Sequence, residues 1–165
     1  MSKNVQGKKI YLSVYDDEVP EGGGTAANAY KPLACLTSNS LSESQEVIKS
    51  DPNKCSDTAT YSYGEYSYEA SAEGQFLDPT DPEATGKASY DWLTAFMKKK
   101  RLAKKNVFWR ETTVPADGTA TYRYGEGIIT ALELTAPADG DATFTMTIQG
   151  IGEISHTDPK APVTP

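Results

Sequence analysis

Apolar and polar side chains alternate at every second position along much of this chain, a pattern typical of β-strands with one buried and one hydrated face. The first such segment is 10–15, in which Ile, Leu and Val alternate with Tyr and Ser. A second segment, 32–48, predicts one long bent strand or two short ones. A third, 61–77, predicts a strand that ends before Pro79, because proline removes a backbone donor from the ladder.

The third segment and the C-terminal segment 141–151 show two distinct faces. One face of each carries Tyr, Ala, Phe, Met or Ile side chains. The segment 127–136 pairs with 141–151 through a turn at 137–140, and Glu133 gives it a matching polar face. We expect these polar faces to be hydrated. Their residues are Ser67, Glu69, Ser71, Glu73, Gln75, Glu133, Thr143, Thr145, Thr147 and Gln149.

A single helix is predicted. Ser89 has the character of an N-cap, and apolar residues recur at spacings of three and four from Trp92 to Met97. A basic run follows, and its cations suit the negative end of a helix dipole. The run is either a solvated helix terminus or a patch that binds a partner. Its members are Lys98, Lys99, Lys100, Arg101, Lys104 and Lys105.

Shorter strands are predicted at 107–109 and 119–124, on either side of a tight turn at Asp117-Gly118. The pattern as a whole predicts a mainly β fold, an antiparallel β-sandwich or barrel with one packed α-helix. We assign residues 9–154 to this domain. Residues 1–8 form an N-terminal arm, and the proline-rich residues 155–165 form an extended or disordered C-terminal tail.

The chain has 165 residues, which suits one domain, and a net charge of −7. Removing the six basic residues of 98–105 leaves −13 on the rest of the chain. Such a surface repels nucleic acid and anionic membranes. No apolar leader begins the chain and no segment is long enough to cross a bilayer, so we expect a protein that is made and used in water.

Residues suited to catalysis or metal binding are sparse. His156 is the one histidine, and it lies in the proline-rich tail, where a rigid triad cannot be assembled. Cys35 has apolar neighbours and is expected to be a small buried side chain. Glu69 and Glu73 are four positions apart on one strand, about 13 Å at ~3.3 Å per residue, too far for a glycosidase pair. We expect no enzyme activity, no metal and no cofactor.

The C-terminal hairpin resembles that of the major tail tube proteins of phages with long non-contractile tails. The hairpin spans 125–152 and reads GEGIITALELTAPADGDATFTMTIQGIG. Segment 31–42 is similar to the first long strand of that family and 66–76 to its second, with the helix following in the family order. The resemblance covers roughly residues 30–154. Two features depart from it: the basic run is longer than the family's turn after the helix, and the Gly-rich loop at 21–24 has no counterpart.

The resemblance implies subunits that form rings of six, stacked into a channel for the genome. Each subunit would lend strands to a shared barrel, with the hydrated face named above lining the lumen. Acids on that face would let DNA slide through without specific binding. The implied partners are the chain itself and other tail proteins: tape measure, tail terminator and distal tail. The implied location is the virion tail, after assembly in the host bacterial cytoplasm.

The resemblance also implies roles for two surface segments. The long loop around residue 51 would stack one ring on the next, and the basic run would meet an acidic surface on a neighbouring subunit or ring. The stacking residues are Lys49, Ser50, Asp51, Pro52, Asn53 and Lys54.

Two alternatives remain open at this point. One is a carbohydrate-binding β-sandwich, in which the abundant tyrosines would supply stacking platforms. The other is the tube protein of a contractile injection or secretion machine, which shares the tail tube architecture.

Overall fold

The structure is a computed structural model that describes residues 6–17, 30–55, 57–78 and 80–160. It contains one seven-stranded antiparallel sheet and one α-helix, which confirms the mainly β prediction. The strands are β1 Ile10–Tyr15, β2 Tyr30–Pro32, β3 Leu36–Ser50, β4 Thr60–Gln75, β5 Val107–Thr113, β6 Thr121–Thr135 and β7 Thr143–Ser155, and the helix is α1 Tyr90–Ala103. Short 3-10 turns occupy Gly7–Lys9 and Pro82–Ala84. The strand order is β2-β1-β5-β6-β7-β4-β3.

One core joins the two ends of this sheet. Leu12 of β1 and Ala72 of β4 belong to the same buried cluster, although three strands lie between β1 and β4 in the sheet order. The sheet therefore curls around its own core, and α1 closes the open side with Leu93 and Phe96. Each large apolar side chain that is fully buried there stabilises the fold by roughly 1.5–3 kcal/mol.

β6 links the two halves of the curled sheet. Its residues 121–127 pair with β5, and Tyr124 and residues 126–135 pair with β7. The pattern predicts separate strands at 119–124 and 127–136, but the structure has one strand. Its register shifts between Tyr124 and Glu126, so the Gly125-Glu126-Gly127 sequence marks a bulge. A Cβ at Gly125 would overlap the Trp109 ring, so glycine at this position allows the indole to pack against the bulge.

The helix is longer than its apolar pattern predicts. It continues past Met97 to Ala103 because Lys and Arg are good helix formers, and it ends at Lys104, whose backbone is left-handed with φ 52°. The first part of the basic run is therefore helical. Ser89 occupies the N-cap position, but its side chain makes no capping hydrogen bond.

The predicted arm, loop and tail lie partly outside the described residues. Of the arm, Gly7 and Lys8 are described in a 3-10 turn, and the Gly-rich loop at 21–24 lies outside the described residues. Ser155 is the last residue of β7, where it pairs with Tyr124, so the strand extends into the predicted tail. Cys35 is half-buried rather than buried, and it sits in the turn before β3 with φ 39°.

Candidate assembly surfaces

The ten polar residues predicted to share a hydrated face do lie on one face of the sheet. In β4 and β7, Glu69 pairs with Gln149 and Glu73 pairs with Thr145. Glu133 of β6 pairs with Thr145 from the other side. Directly paired residues of antiparallel strands project to the same side, so the rows are continuous across three strands.

A fourth strand, β3, extends this face. Ser38 pairs with Glu73, Ser40 with Ser71 and Ser42 with Glu69. These serines were not among the residues predicted for the face, although serine occurs at every second position from 38 to 44, which is the pattern of one strand face. The polar face therefore runs over β3, β4, β7 and the second half of β6. On its reverse side, Tyr68, Ala70, Ala72, Phe144, Met146 and Ile148 are buried.

The charge on these four strands has one sign. Glu69, Glu73 and Glu133 are exposed, and the last two flank Thr145 in a single row. Segments 36–44, 67–75, 128–135 and 143–149 contain no Lys or Arg. The face is therefore acidic and otherwise made mostly of hydroxyl and amide side chains, with Ile128 and Ala131 of β6 as apolar exceptions.

Both outer edges of this four-stranded unit are unpaired within the described part of the chain. β3 pairs with β4 alone, and residues 128–135 of β6 pair with β7 alone. Because all neighbours are antiparallel, β3 and β6 run in opposite directions. A β3 strand from another copy can thus add to the free edge of β6 in antiparallel register.

β3 and β4 continue beyond the sheet as a two-stranded ribbon. The last pair between β4 and β7 is Glu69 with Gln149, whereas β3 and β4 stay paired as far as Ser50 with Thr60. Side-chain bonds stiffen the base: the Tyr66 phenol donates to Glu43 Oε2 at 3.1 Å, and Gln45 Nε2 donates to the Gly64 carbonyl at 3.0 Å.

The predicted stacking loop lies at the far end of this ribbon. Lys49 and Ser50 are the last residues of β3, and 51–54 form the turn that follows. Asn53 Oδ1 accepts a hydrogen bond from the Cys55 backbone N–H at 2.9 Å, which orders the turn locally.

The basic run divides into one internal residue and five surface positions. Lys100 is buried, forms an ion pair with Asp17, and holds its ammonium 5.3 Å from the centre of the Phe96 ring. Its charge is thus used inside the subunit. Exposed positions are Lys98, Lys99, Arg101, Lys104 and Lys105. Together with Met97, Val107 and Ile129, several basic side chains line a cavity of about 350 Å³.

An aromatic and ionic cluster lies under the start of the C-terminal tail. The sequence pattern did not predict it. The Tyr30 phenol donates to Asp158 at 2.8 Å, and the Arg110 guanidinium lies 4.6 Å from the centre of the Tyr30 ring. Lys160 lies over the Phe108 ring at 3.9 Å. Burial, reinforced by Asp158, raises the pKa of Tyr30 well above its ordinary value. Residues 158–160 are therefore attached to the domain.

The tyrosines, which the carbohydrate-binding alternative would use as platforms, are divided between exposed positions such as Tyr61 and Tyr63 and buried ones. Tyr30, Tyr68 and Tyr124 are buried, so their rings cannot serve as platforms. Tyr30 packs edge-to-face against Tyr15 and Tyr124.

Potential metal ligands do not cluster in the described part of the chain. Within the described ranges, no three His, Cys, Asp or Glu residues lie close enough together to hold a metal ion. Among the described helices, none has the length and apolarity to cross a membrane.

Comparisons with known proteins agree with this geometry. A family model described as phage tail tube protein matches residues 4–156. The search of curated proteins finds no match. Three solved structures are similar, and at these low identities they establish the shared fold.

The first is the virion of a native gene transfer agent particle, with a TM-score of 0.59, 15% identity, and coverage of 95% of this chain and 100% of that chain. The tail of an empty gene transfer agent particle, solved with C6 symmetry, has a TM-score of 0.58 at 16% identity and the same coverage. The SPP1 tail tube has a TM-score of 0.61 at 8% identity, covering 90% of this chain and 77% of that chain.

Proposed function

The chain belongs to the phage tail tube protein family, and on that premise we propose that six copies close into a ring and that the rings stack into the tube of a phage tail. One observation carries the proposal. A four-stranded unit with a polar, acidic face ends on both sides in strands of opposite direction, β3 and β6, whose outer edges have no partner among the described residues. Such a unit cannot satisfy its own edges, and a ring of identical units satisfies all of them.

Ring closure uses the free edge of β6 in one subunit and the free edge of β3 in the next. Sixfold symmetry, as in the gene transfer agent tail, gives six copies of four strands, 24 in all. Strands about 4.8 Å apart and tilted by roughly 40° then enclose a barrel with a backbone diameter on the order of 45–50 Å. Such a bore passes a DNA duplex with room for side chains on both walls.

The proposed lumen is the polar face, and its chemistry suits passage rather than binding. Exposed Glu69, Glu73 and Glu133 repel phosphates, and the absence of Lys and Arg from these strand segments removes the counterion release that would hold DNA. Genome DNA would pass without specific contacts. The role is structural, with no reaction and no cofactor, and we place the protein in the virion tail after assembly in the host bacterial cytoplasm.

Two surface segments complete the proposed assembly. The loop 49–54 contacts the adjacent ring, since it projects beyond the sheet on the ribbon. The exposed members of the basic run meet an acidic surface on a neighbour, and Lys100 is left out because Asp17 already binds it. At the two ends of the tube, the proposed partners are the tail terminator and distal tail proteins, with the tape measure protein inside.

Electron microscopy of the concentrated purified chain and of the particle that carries it tests this proposal. The expected result is sixfold rings or tubes in the purified sample, or a tail tube in the particle that reacts with an antibody against this chain. Monomers at every concentration, together with a particle tail that lacks the chain, would refute it. Particle images also distinguish a bare tube from one enclosed by a contractile sheath.

A further inference from the structure

We propose that the tip of the β3–β4 ribbon of one subunit inserts into a cavity at the opposite end of β3 in a subunit of the next ring. The inference rests on the proposed function, and it names both halves of the contact between rings. We call Val47, Ile48, Tyr61 and Tyr63 the ribbon tip. The β3 cavity is the space of about 340 Å³ lined by residues that include Ile10, Tyr11, Leu33, Leu36 and Thr37.

β3 itself places the two surfaces at opposite ends of the subunit. The cavity is lined by the first four residues of the strand, 36–39, and the tip begins at its twelfth residue, Val47. A strand of 15 residues is about 46 Å long at ~3.3 Å per residue. A contact between two different patches so far apart is heterologous, and repeated by translation it gives an open stack rather than a closed dimer.

The ribbon tip is apolar and lacks a partner surface in the described part of the subunit. Val47 pairs with Tyr63, and Lys49 pairs with Tyr61, so Val47, Tyr61 and Tyr63 lie on one face of the ribbon. The exposed fractions are 87% for Tyr63, 68% for Tyr61, 60% for Val47 and 48% for Ile48. A concentration of large exposed apolar side chains marks an interaction surface.

The β3 cavity has a mixed lining. Leu33 and Leu36 supply apolar side chains, residues 37–39 supply polar ones, and Lys8 lines it from the 3-10 turn that also holds Lys9. The ribbon, residues 43–66, carries five acids and two lysines, a net charge of −3. An acidic ribbon and a cavity lined by Lys8, with Lys9 next to it in the chain, are complementary in charge, which favours a second copy of this chain as the occupant.

The cavity of about 350 Å³ that Arg101 and other members of the basic run line suits this contact less well. It is lined by Ile128, which pairs with Gln149 in the row that also contains Glu69 and Ser42. That row is where the ribbon leaves the sheet, so this cavity lies at the ribbon's own end of the subunit. The ribbon projects from this end of its subunit towards the next ring. It therefore meets the opposite end of the subunits in that ring, where the β3 cavity lies.

Thiol cross-linking tests the contact in assembled tubes or in purified tails. In a Cys35→Ser, Cys55→Ser background, Tyr63→Cys places a thiol on the ribbon tip and Thr37→Cys places one on the cavity wall. A short bis-maleimide should then give a ladder of multimers on a denaturing gel, because each chain links to two others. Either cysteine alone should give dimers at most, and the control pair Tyr63→Cys with Thr94→Cys, on the exposed side of α1, should give no ladder.

A second measurement separates stacking from ring formation. The double variant Val47→Asp, Tyr63→Asp should form rings but at least tenfold fewer tubes, because two carboxylates would lie against the apolar part of the cavity lining, Leu33 and Leu36. Tubes that form without a Tyr63–Thr37 ladder, or a double variant that stacks normally, would overturn the inference and leave the proposed function intact. Failure of the wild-type chain to form rings, tubes or part of a tail would instead refute the proposed function.

Discussion

The phenol of Tyr68 on β4 bonds to the backbone of Glu126 on β6, across the strand that lies between them. It accepts from the Glu126 N–H at 2.9 Å and donates to the Glu126 carbonyl. β7 makes room for this contact because its Gly150 has no side chain: a Cβ there would overlap the Tyr68 ring. The contact lies where β7 leaves β4 and the ribbon begins, so it fixes the base of the ribbon.

Tyr68→Phe should destabilise the subunit by about 1–3 kcal/mol, because it leaves backbone groups of the Glu126 bulge without a partner. Denaturant unfolding of the unassembled chain measures this change. Tyr66→Phe is the matched control, since the Tyr66 phenol bonds to Glu43 at an exposed site and should change stability by less than ~1 kcal/mol. Equal losses for the two variants would show that the Tyr68 bond is not a special anchor.

Gly125→Ala should cost roughly 1–3 kcal/mol or more, since the added methyl group would overlap the rigid, fully buried Trp109 ring. Gly7→Ala serves as the control, because nothing lies near its added methyl group. Thermal unfolding of both variants tests the prediction. A Gly125 variant as stable as the Gly7 variant would mean that the bulge can shift without cost.

Stability should fall as the pH rises above about 10, where tyrosine ionises in the unfolded chain. Burial and Asp158 raise the pKa of Tyr30 in the folded state, so folding favours the protonated phenol. The stabilisation is complete below the unfolded pKa and is lost as the pH climbs towards the folded one.

Tyr30→Phe should therefore be less stable than the wild type near pH 8 but should lose less stability between pH 8 and strongly alkaline conditions. Chemical denaturation at a series of pH values measures the two slopes. Parallel pH profiles for the variant and the wild type would contradict the assigned role of Tyr30.

Replacing the acids of the polar face by lysine should make assembled tubes bind DNA. Glu69→Lys with Glu73→Lys changes the charge by four per subunit, and the binding should weaken steeply with added salt because of counterion release. Asp91→Lys, on the exposed surface of α1, is the control for one charge reversal outside the face. Filter binding of labelled duplex to tubes gives the readout, and tubes that stay inert to DNA would count against the proposed lumen.

Lys100 and Arg101 should respond to mutation in opposite ways. Lys100→Ala removes the ion-pair partner of Asp17 and should cost roughly 1–2 kcal/mol of folding stability, a modest value because Asp17 is partly exposed. Arg101→Glu with Lys105→Glu should leave the unfolding midpoint almost unchanged and reduce tube formation. Unfolding curves and negative-stain counts, taken on the same samples, distinguish the two effects. Normal tubes from the double variant would remove the proposed basic contact.

Much of the fold was readable from the sequence, and the reason is local. In a strand, successive side chains point to opposite sides whatever the partner strand is, so the ten polar residues from Ser67 to Gln149 were assigned to a shared kind of face correctly. The start of the helix was predicted correctly in the same way, from the spacing of apolar residues. The end of the helix was not, because Lys and Arg continue a helix as readily as they end one.

Composition and periodicity belong to each strand alone, so the amino-acid sequence was enough to predict two-faced strands whose polar side carries acids and no cations. Which strands are neighbours could be learned only from the folded chain. The tertiary structure placed β4 beside β7 and turned Lys100 inward to Asp17, and in the described part of the chain it left the outer edges of β3 and of residues 128–135 of β6 unpaired. Those outcomes depend on pairings between residues far apart in the chain, and the free energy of such a pairing is set by the packing of the whole core rather than by either segment.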